Sequence, residues 1–282
     1  MASFVIHHIA GEQFLNELEK ERGIELSDLE KQQFLLGNLI VDSSRINKKL
    51  PDNLNAQELK KYKRKLRSEL QEEKKSTHFR NEQDENLCIQ APNITKFIKK
   101  YSNLVTTDYT ALGYLYHLYV DKQFFDNLFR DTFETLDKNG NYTPYLDKLV
   151  AMKIKKNGKI YCHEELESHD SPVSIYHDYT VMNKILLEHY GTTFDPARLL
   201  ANKDQVFQNP GIEEVDYRNI SKVVEKTKSY IAESYQEKDE ELHVFSKERV
   251  QDFIKKAATN FIKEQAYIID QITGKKPKVR RK

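Results

Sequence analysis

Two residues, His117 and Asp121, have the types and the spacing needed to bind a metal ion. They lie four residues apart in the apolar segment 111–125, so on a helix their side chains share one face and can converge on a single cation. Gly113 lies one turn before His117, and a helical glycine costs about 1 kcal/mol relative to alanine. Its presence predicts close packing there, by another helix's backbone or by further metal ligands. A hydrogen-bonded core histidine is the alternative explanation of the pair.

Three further residues extend this candidate metal site. His7 lies on the inner face of the amphipathic segment 3–21, and His78 stands where the charged stretch 45–77 gives way to ordered structure. Asp42 ends an apolar segment, where a carboxylate is costly to bury unless it is paired or binds metal. Three histidines and two aspartates suit zinc, and also manganese or ferrous iron. With one carboxylate able to bridge, the five ligands suffice for a two-metal site.

Helical patterns predict how the first of these residues are positioned. The apolar period over residues 3–21 predicts a helix, which Gly23 ends. Ser27 and Glu30 have the spacing of a capping box, so a second helix is expected to run to about Val41. Asp42 follows directly at its end.

The rest of the chain predicts a mainly α fold with a small β-hairpin insertion. Residues 108–133 make the longest apolar helix, the expected centre of the fold. The Asn157-Gly158 pair between alternating residues predicts a hairpin near 149–163. Further helices are expected at 175–190, 215–236 and 246–272. We interpret residues 1–274 as a single helical domain.

Charge is balanced over the whole chain and concentrated in two segments. Lys and Arg number 45 against 44 Asp and Glu, so no field of one sign indicates a nucleic-acid partner, and none is expected. Residues 45–77 predict a solvated helix or a mobile insertion, with an anion-binding patch as the alternative. The basic tail 275–282 predicts a disordered solubilising end, with a nucleic-acid or membrane contact as the alternative.

Composition excludes several classes of protein. The cysteines, Cys88 and Cys162, provide neither a disulfide framework nor a four-thiolate zinc site. No segment approaches the roughly 20 apolar residues of a membrane span. The N-terminus lacks the basic region of a secretory signal, so a cytoplasmic location is expected.

The order and spacing of the motifs resemble the zinc-dependent phospholipase C family, which is related to the single-strand-specific zinc nucleases. The resemblance spans about residues 3–190 and rests on His7, Gly37 followed by Asp42, Thr77-His78-Phe79 and Gly113-x-x-x-His117-x-x-x-Asp121. The N-terminal pattern Ser3–Gly11 and the segment 175–183 look like the intracellular bacterial branch of that family.

The resemblance implies a largely helical enzyme that hydrolyses phosphoesters at a metal cluster. It implies that His117, His78, Asp42 and Asp121 hold one metal ion, and that Asp121 bridges to a second ion held partly by His7. Zinc is the expected metal, as two ions, with manganese or iron as alternatives. The implied substrate is a small phosphoester or a lipid headgroup.

Two aspartates are expected in the catalytic pocket. The resemblance assigns Asp42 to orient the attacking water or to accept its proton. We also favour Asp178, in Tyr176-His177-Asp178, as a pocket residue, and the alternative is an ordinary aspartate at a helix start.

Two departures from the family pattern support a second hypothesis. The chain contains no tryptophan, whereas secreted members bind metal through the amine and carbonyl of an N-terminal tryptophan. The chain has no histidine between Asp121 and His163. His163 and Glu167 are four residues apart, and both are expected on the surface. The second hypothesis is therefore a non-catalytic metal-binding scaffold that uses residues 45–77 to bind a partner.

Overall fold

A computed structural model of the chain describes residues 3–43, 55–168, 171–201, 210–238 and 240–274. Residues 45–54 of the charged segment and the basic tail 275–282 lie outside the described residues. Within the described residues the fold is mainly helical with one small antiparallel sheet, as the sequence predicts.

The first two helices begin and end at the residues that the sequence indicates. Helix α1 spans Phe4–Arg22, with the Ser3 hydroxyl accepting a hydrogen bond from a backbone N–H of its first turn, and Gly23 ends it at φ 58°. Helix α2 spans Asp28–Ile40 and starts with the predicted capping box between Ser27 and Glu30. Each cap satisfies backbone groups that a helix end leaves unpaired.

A charged helix and a short helix connect α2 to the central helix. Helix α3 spans Ala56–Thr77, so the described part of the charged segment is a helix. Helix α4 spans Ile94–Lys100 and is capped by the side chain of Asn93.

Helix α5, Tyr109–Gln123, is the centre of the fold. Every side chain from Tyr109 to Asp121 is buried, so this helix is surrounded by other elements on all sides. The chain continues as a π-helical segment, Phe124–Phe129, and a short helical segment, Arg130–Thr132. The predicted helix over 108–133 is therefore confirmed as helical chain, with a change of hydrogen-bond pattern after α5.

Two glycines allow α2 and α5 to cross with their backbones in contact. A Cβ added to Gly113 would lie 2.0 Å from the Phe34 carbonyl oxygen, and one added to Gly37 would lie 2.0 Å from the Thr110 carbonyl oxygen. The close packing predicted at Gly113 is confirmed, and the partner is the backbone of another helix.

The β-insertion contains one strand more than the predicted hairpin. Strands β1 (Phe133–Leu136), β2 (Ala151–Ile154) and β3 (Ile160–Cys162) pair antiparallel in the order β1-β2-β3. The hairpin between β2 and β3 is confirmed. Strand β1 was not predicted, because its four residues follow a helix directly and are too few to show alternation.

The remaining helices complete the core. They are α6 (His163–Leu166), α7 (Ile175–Tyr190), α8 (Pro196–Ala201), α9 (Ile220–Gln236), α10 (Lys247–Glu264) and α11 (Ala266–Ile272). Gln265 divides the helix expected over 246–272 into α10 and α11. One cluster of buried apolar side chains extends from α1 to α11. Among the described residues, no helix has the length and apolarity required to span a membrane.

The crossing of α2 and α5 makes a testable prediction about glycine. Gly37→Ala and Gly113→Ala should each lower the free energy of unfolding by about 1–3 kcal/mol or more, because backbone atoms must separate. Gly11→Ala is the matched control, since its Cβ would meet side-chain atoms, the nearest being Asn38 Nδ2 at 2.9 Å. Urea unfolding measures all three variants. A Gly11→Ala effect as large as the others would contradict the assignment of the constraint to backbone contact.

Candidate metal centre

The five sequence-predicted ligands lie together in the core. His7, Asp42, His78, His117 and Asp121 each have 1% or less of their surface exposed. They form two overlapping groups of potential metal donors, one of His7, Asp42 and His117 and one of His78, His117 and Asp121, each within 4.8 Å. The residues come from α1, the end of α2, the end of α3 and α5, so tertiary packing assembles the cluster.

The Asp121 carboxylate lies between the histidines. Its Oδ1 is 3.3 Å from His7 Nε2, while its Oδ2 is 3.3 Å from His78 Nε2 and 3.9 Å from His117 Nε2. One oxygen therefore faces the histidine of α1, and the other faces the remaining two. This is the arrangement expected of a carboxylate that can bridge two cations.

The second carboxylate, Asp42, approaches the same nitrogen atoms. Its Oδ1 lies 3.8 Å from His78 Nε2, and the residue also groups with His7 and His117. Donors on one tetrahedral zinc ion, bound at about 2.0–2.1 Å, are about 3.3 Å apart. The observed separations of 3.3–3.9 Å fit a set that a small dication would draw slightly together.

The orientation of the histidine rings also fits a metal. Among the described residues, no hydrogen bond is made by the Nε2 atoms of His7, His78 and His117. The His117 Nδ1–H donates to the Asn38 carbonyl oxygen at 2.7 Å, since a carbonyl can only accept. The His78 Nδ1 is hydrogen-bonded to Thr77 Oγ1 at 2.9 Å. Holding one ring nitrogen by the protein leaves the other for a metal, which is the usual outer-shell arrangement around ligating histidines.

Asn38 joins three of the helices around the cluster and was not predicted from the sequence. Its backbone carbonyl holds His117, and its side-chain Nδ2 donates to the His7 carbonyl oxygen at 2.5 Å. The available signal was an amide side chain within the apolar segment 34–41. Asn38 follows Gly37 directly, so the close helix crossing brings it to both histidines.

His78 is held by a strained turn at the end of α3. The next residue, Phe79, has φ 54°, in the left-handed region that glycine usually occupies at this position. The Phe79 N–H donates to the Ser76 carbonyl and the Arg80 N–H to the Lys75 carbonyl, the bond pattern that ends a helix with a left-handed residue. The turn directs His78 into the core.

Aromatic packing stabilises this turn. The Phe79 ring is buried and meets Phe97 edge to face at 5.1 Å between centroids, with Tyr101 and Tyr114 at its other sides. The Tyr114 hydroxyl donates to the Thr77 carbonyl at 2.6 Å. These contacts offset the backbone strain of the left-handed conformation at Phe79.

Burial and neighbouring charges set the protonation of the cluster. Burial, reinforced by the neighbouring His7, lowers the pKa of His117 to about 3. Burial also lowers the pKa of His78, although Asp121 and Asp42 oppose this shift. Burial by itself would raise the pKa of Asp121, but the His7 and His78 rings, which face its two oxygens at 3.3 Å, hold that pKa well below its usual value. Neutral His78 and His117 with an ionised Asp121 are the forms that bind metal.

Asp178 lies in a different environment. Its carboxylate is buried and accepts hydrogen bonds from the backbone N–H groups of His243, Val244 and Phe245 at 2.9, 2.7 and 2.7 Å. It belongs to neither of the potential ligand groups found among the described residues. These contacts anchor the segment before α10 on α7, and they give no support to a catalytic role.

Two other histidines lie outside the cluster. His8, the neighbour of His7, is buried and makes a hydrogen bond of 3.1 Å to Thr192 Oγ1. His163 and Glu167 form a partly exposed pair at 3.1 Å on and just after α6.

Comparison with known proteins gives no relative for this chain. No protein-family model, no curated protein and no solved structure matches it. The resemblance to the zinc-dependent phospholipase C family therefore rests on the motifs alone.

The left-handed backbone at Phe79 predicts that a glycine variant is more stable than an alanine variant, the reverse of the usual order. Phe79→Ala should lower the free energy of unfolding by about 3–5 kcal/mol, because the aromatic packing is lost. Phe79→Gly loses the same packing but relieves the strain, so it should be more stable than the alanine variant by about 1 kcal/mol. Chemical denaturation of both variants measures the difference. An alanine variant more stable than the glycine variant would argue against strain at this position.

The lowered histidine pKa values predict a pH dependence of the metal-free protein. Between pH about 6 and 5, unfolded histidines bind protons while His117 in the folded chain remains neutral. The unfolded state then holds more protons, so the free energy of unfolding should fall as pH is lowered. His117→Gln should reduce this slope by up to about 1.4 kcal/mol per pH unit. Urea unfolding with a chelator present checks this, and an unchanged slope in the variant would disprove it.

Proposed function

We propose that this protein is a metal-dependent phosphoester hydrolase whose metal centre is the buried cluster of three histidines and two aspartates. The observation that carries the proposal is the position of Asp121, with one carboxylate oxygen at His7 and the other at His78 and His117. Carboxylate-bridged cations are a common arrangement in enzymes that hydrolyse phosphoesters. The motif order that resembles the zinc-dependent phospholipase C family supports the same reaction.

The donor set favours zinc. Three imidazole nitrogens and two carboxylates are the ligands that zinc takes in proteins, and manganese and iron accept the same set. His78, His117, Asp42 and Asp121 would hold one ion, and Asp121 and His7 would hold part of a second. A bound cation supplies Lewis acidity towards a phosphoryl oxygen and lowers the pKa of water to about 7.

The protein side chains supply the other roles. Asp42 ends α2 beside the histidine nitrogens, so its carboxylate is placed to orient a water molecule and to accept its proton. Asn38 fixes the direction of the His117 ring, and the turn at Phe79 fixes that of His78. The substrate is a small organic phosphate, a nucleotide or a lipid headgroup.

A metal-stabilised scaffold is the second candidate, and the burial of the ligands favours it. Structural metal sites are closed by protein ligands, whereas catalytic sites keep a position open for water or substrate. All five ligands are almost completely buried, which is the property of a closed site. The two functions differ in whether a bound metal turns over a phosphoester.

Hydrolysis of bis(para-nitrophenyl) phosphate and para-nitrophenyl phosphate tests the proposal. Chelation should abolish turnover, and added zinc or manganese should restore it. His117→Ala and Asp121→Asn should lower kcat/KM by at least about 100-fold and should also lower metal content and Tm, because ligation couples metal affinity to folding.

His163→Ala is the matched control, since it removes a histidine that also faces a carboxylate four residues away but lies on the surface. It should retain metal, stability and turnover. Stoichiometric metal without turnover of either ester would favour the scaffold, and full metal content in both ligand variants would show that the centre is wrongly assigned.

A further inference from the structure

The charge of the cluster limits how many cations it can hold. We propose that the described ligands bind one divalent cation by themselves, and that a second cation binds only together with a phosphate-class anion. The inference depends on the metal centre of the proposed function, but it does not depend on hydrolysis. According to this inference, binding of the anion and binding of the second cation each strengthen the other.

The described ligands neutralise one dication. Asp42 and Asp121 contribute two negative charges, and neutral imidazoles contribute none. One dication neutralises the five ligands. Two dications would leave the ligand set with a net charge of plus two, although each ligand is 1% exposed or less. An uncompensated charge is strongly disfavoured in such an environment. A dianion bound with the second cation restores neutrality.

A further buried charge favours an anion. Arg80 lies two residues after His78 and is buried. Its guanidinium donates to the amide oxygens of Gln71 and Gln90 at 3.3 and 3.2 Å. A buried guanidinium two residues from a candidate ligand disfavours an extra cation, and its planar donors are of the type that binds phosphate oxygens.

The ligands also divide unequally. His78, His117 and Oδ2 of Asp121 form a group of three donors, and Asp42 Oδ1 lies 3.8 Å from His78 Nε2, where it can supply the fourth donor of a tetrahedral site. His7 and Oδ1 of Asp121 leave two donors for another ion. His117 cannot serve both ions, because its Nδ1 is bonded to the Asn38 carbonyl and only Nε2 remains. Oxygen atoms of an anion would complete the second set.

Coupling of this kind is reciprocal. If phosphate raises the affinity for the second cation, the second cation must raise the affinity for phosphate by the same factor. A phosphoester substrate carries the same oxygen donors, so it would assemble the two-cation site as it binds.

Manganese titration of the metal-free full-length protein tests the inference. Elemental analysis and electron paramagnetic resonance are measured with inorganic phosphate and with chloride at equal ionic strength. We expect about one ion per chain in chloride, with the spectrum of an isolated ion, and about two in phosphate, with the spectrum of a coupled pair.

Variants assign the two ions to their ligands. His7→Gln should lose only the ion that needs phosphate, whereas His78→Gln should lose the first ion. His163→Gln should keep both, and circular dichroism verifies that each variant is folded. The wild-type titration is decisive even if a ligand variant does not fold.

Each outcome decides the inference. Two ions in chloride, or one ion at every phosphate concentration, would overturn it. No ion under either condition would overturn the metal centre, and with it the proposed function. The expected stoichiometries without ester hydrolysis would leave the inference standing and reject the hydrolase.

Discussion

The contact between the backbones of α2 and α5 is the constraint on which the metal centre depends. At Gly37 and at Gly113, a backbone carbonyl of the other helix lies where the Cβ of any other residue would be. The close approach of the two helices brings Asp42, just after α2, to the histidine and carboxylate of α5. It also lets the Asn38 carbonyl accept a hydrogen bond from His117. Any larger side chain at either glycine would move ligands of one helix away from those of the other.

The core that surrounds the cluster must compensate for buried polar groups. Two carboxylates and three imidazoles in an apolar interior are stable only when charge and hydrogen bonding are balanced. Asn38 and Thr77 make hydrogen bonds to the histidine residues, and burial keeps His78 and His117 neutral. The Asp121 carboxylate faces all three histidine rings. The left-handed Phe79 adds strain at the same place, and aromatic packing offsets it.

Closure of the site links its electrostatics to its possible chemistry. A buried donor set with a charge of minus two is neutralised by a single dication. A phosphate-class anion would bring both negative charge and oxygen donors for a second one. Under the proposed function, substrate binding and completion of the metal centre would be one event, because the second cation binds only together with the phosphoester.

The sequence by itself predicted most of the helices and the five residues that cluster in the core. Local patterns suffice for the caps of α1 and α2, for the turn at Asn157-Gly158, and for the same-face pair of His117 and Asp121, since these depend on near neighbours. Only the tertiary structure decided which oxygen of Asp121 faces which ring, and the role of Asn38. It also decided that Asp178 binds backbone N–H groups, because those partners lie more than sixty residues away. Spacing along one helix predicts a shared face, but contacts between distant segments depend on how the helices pack.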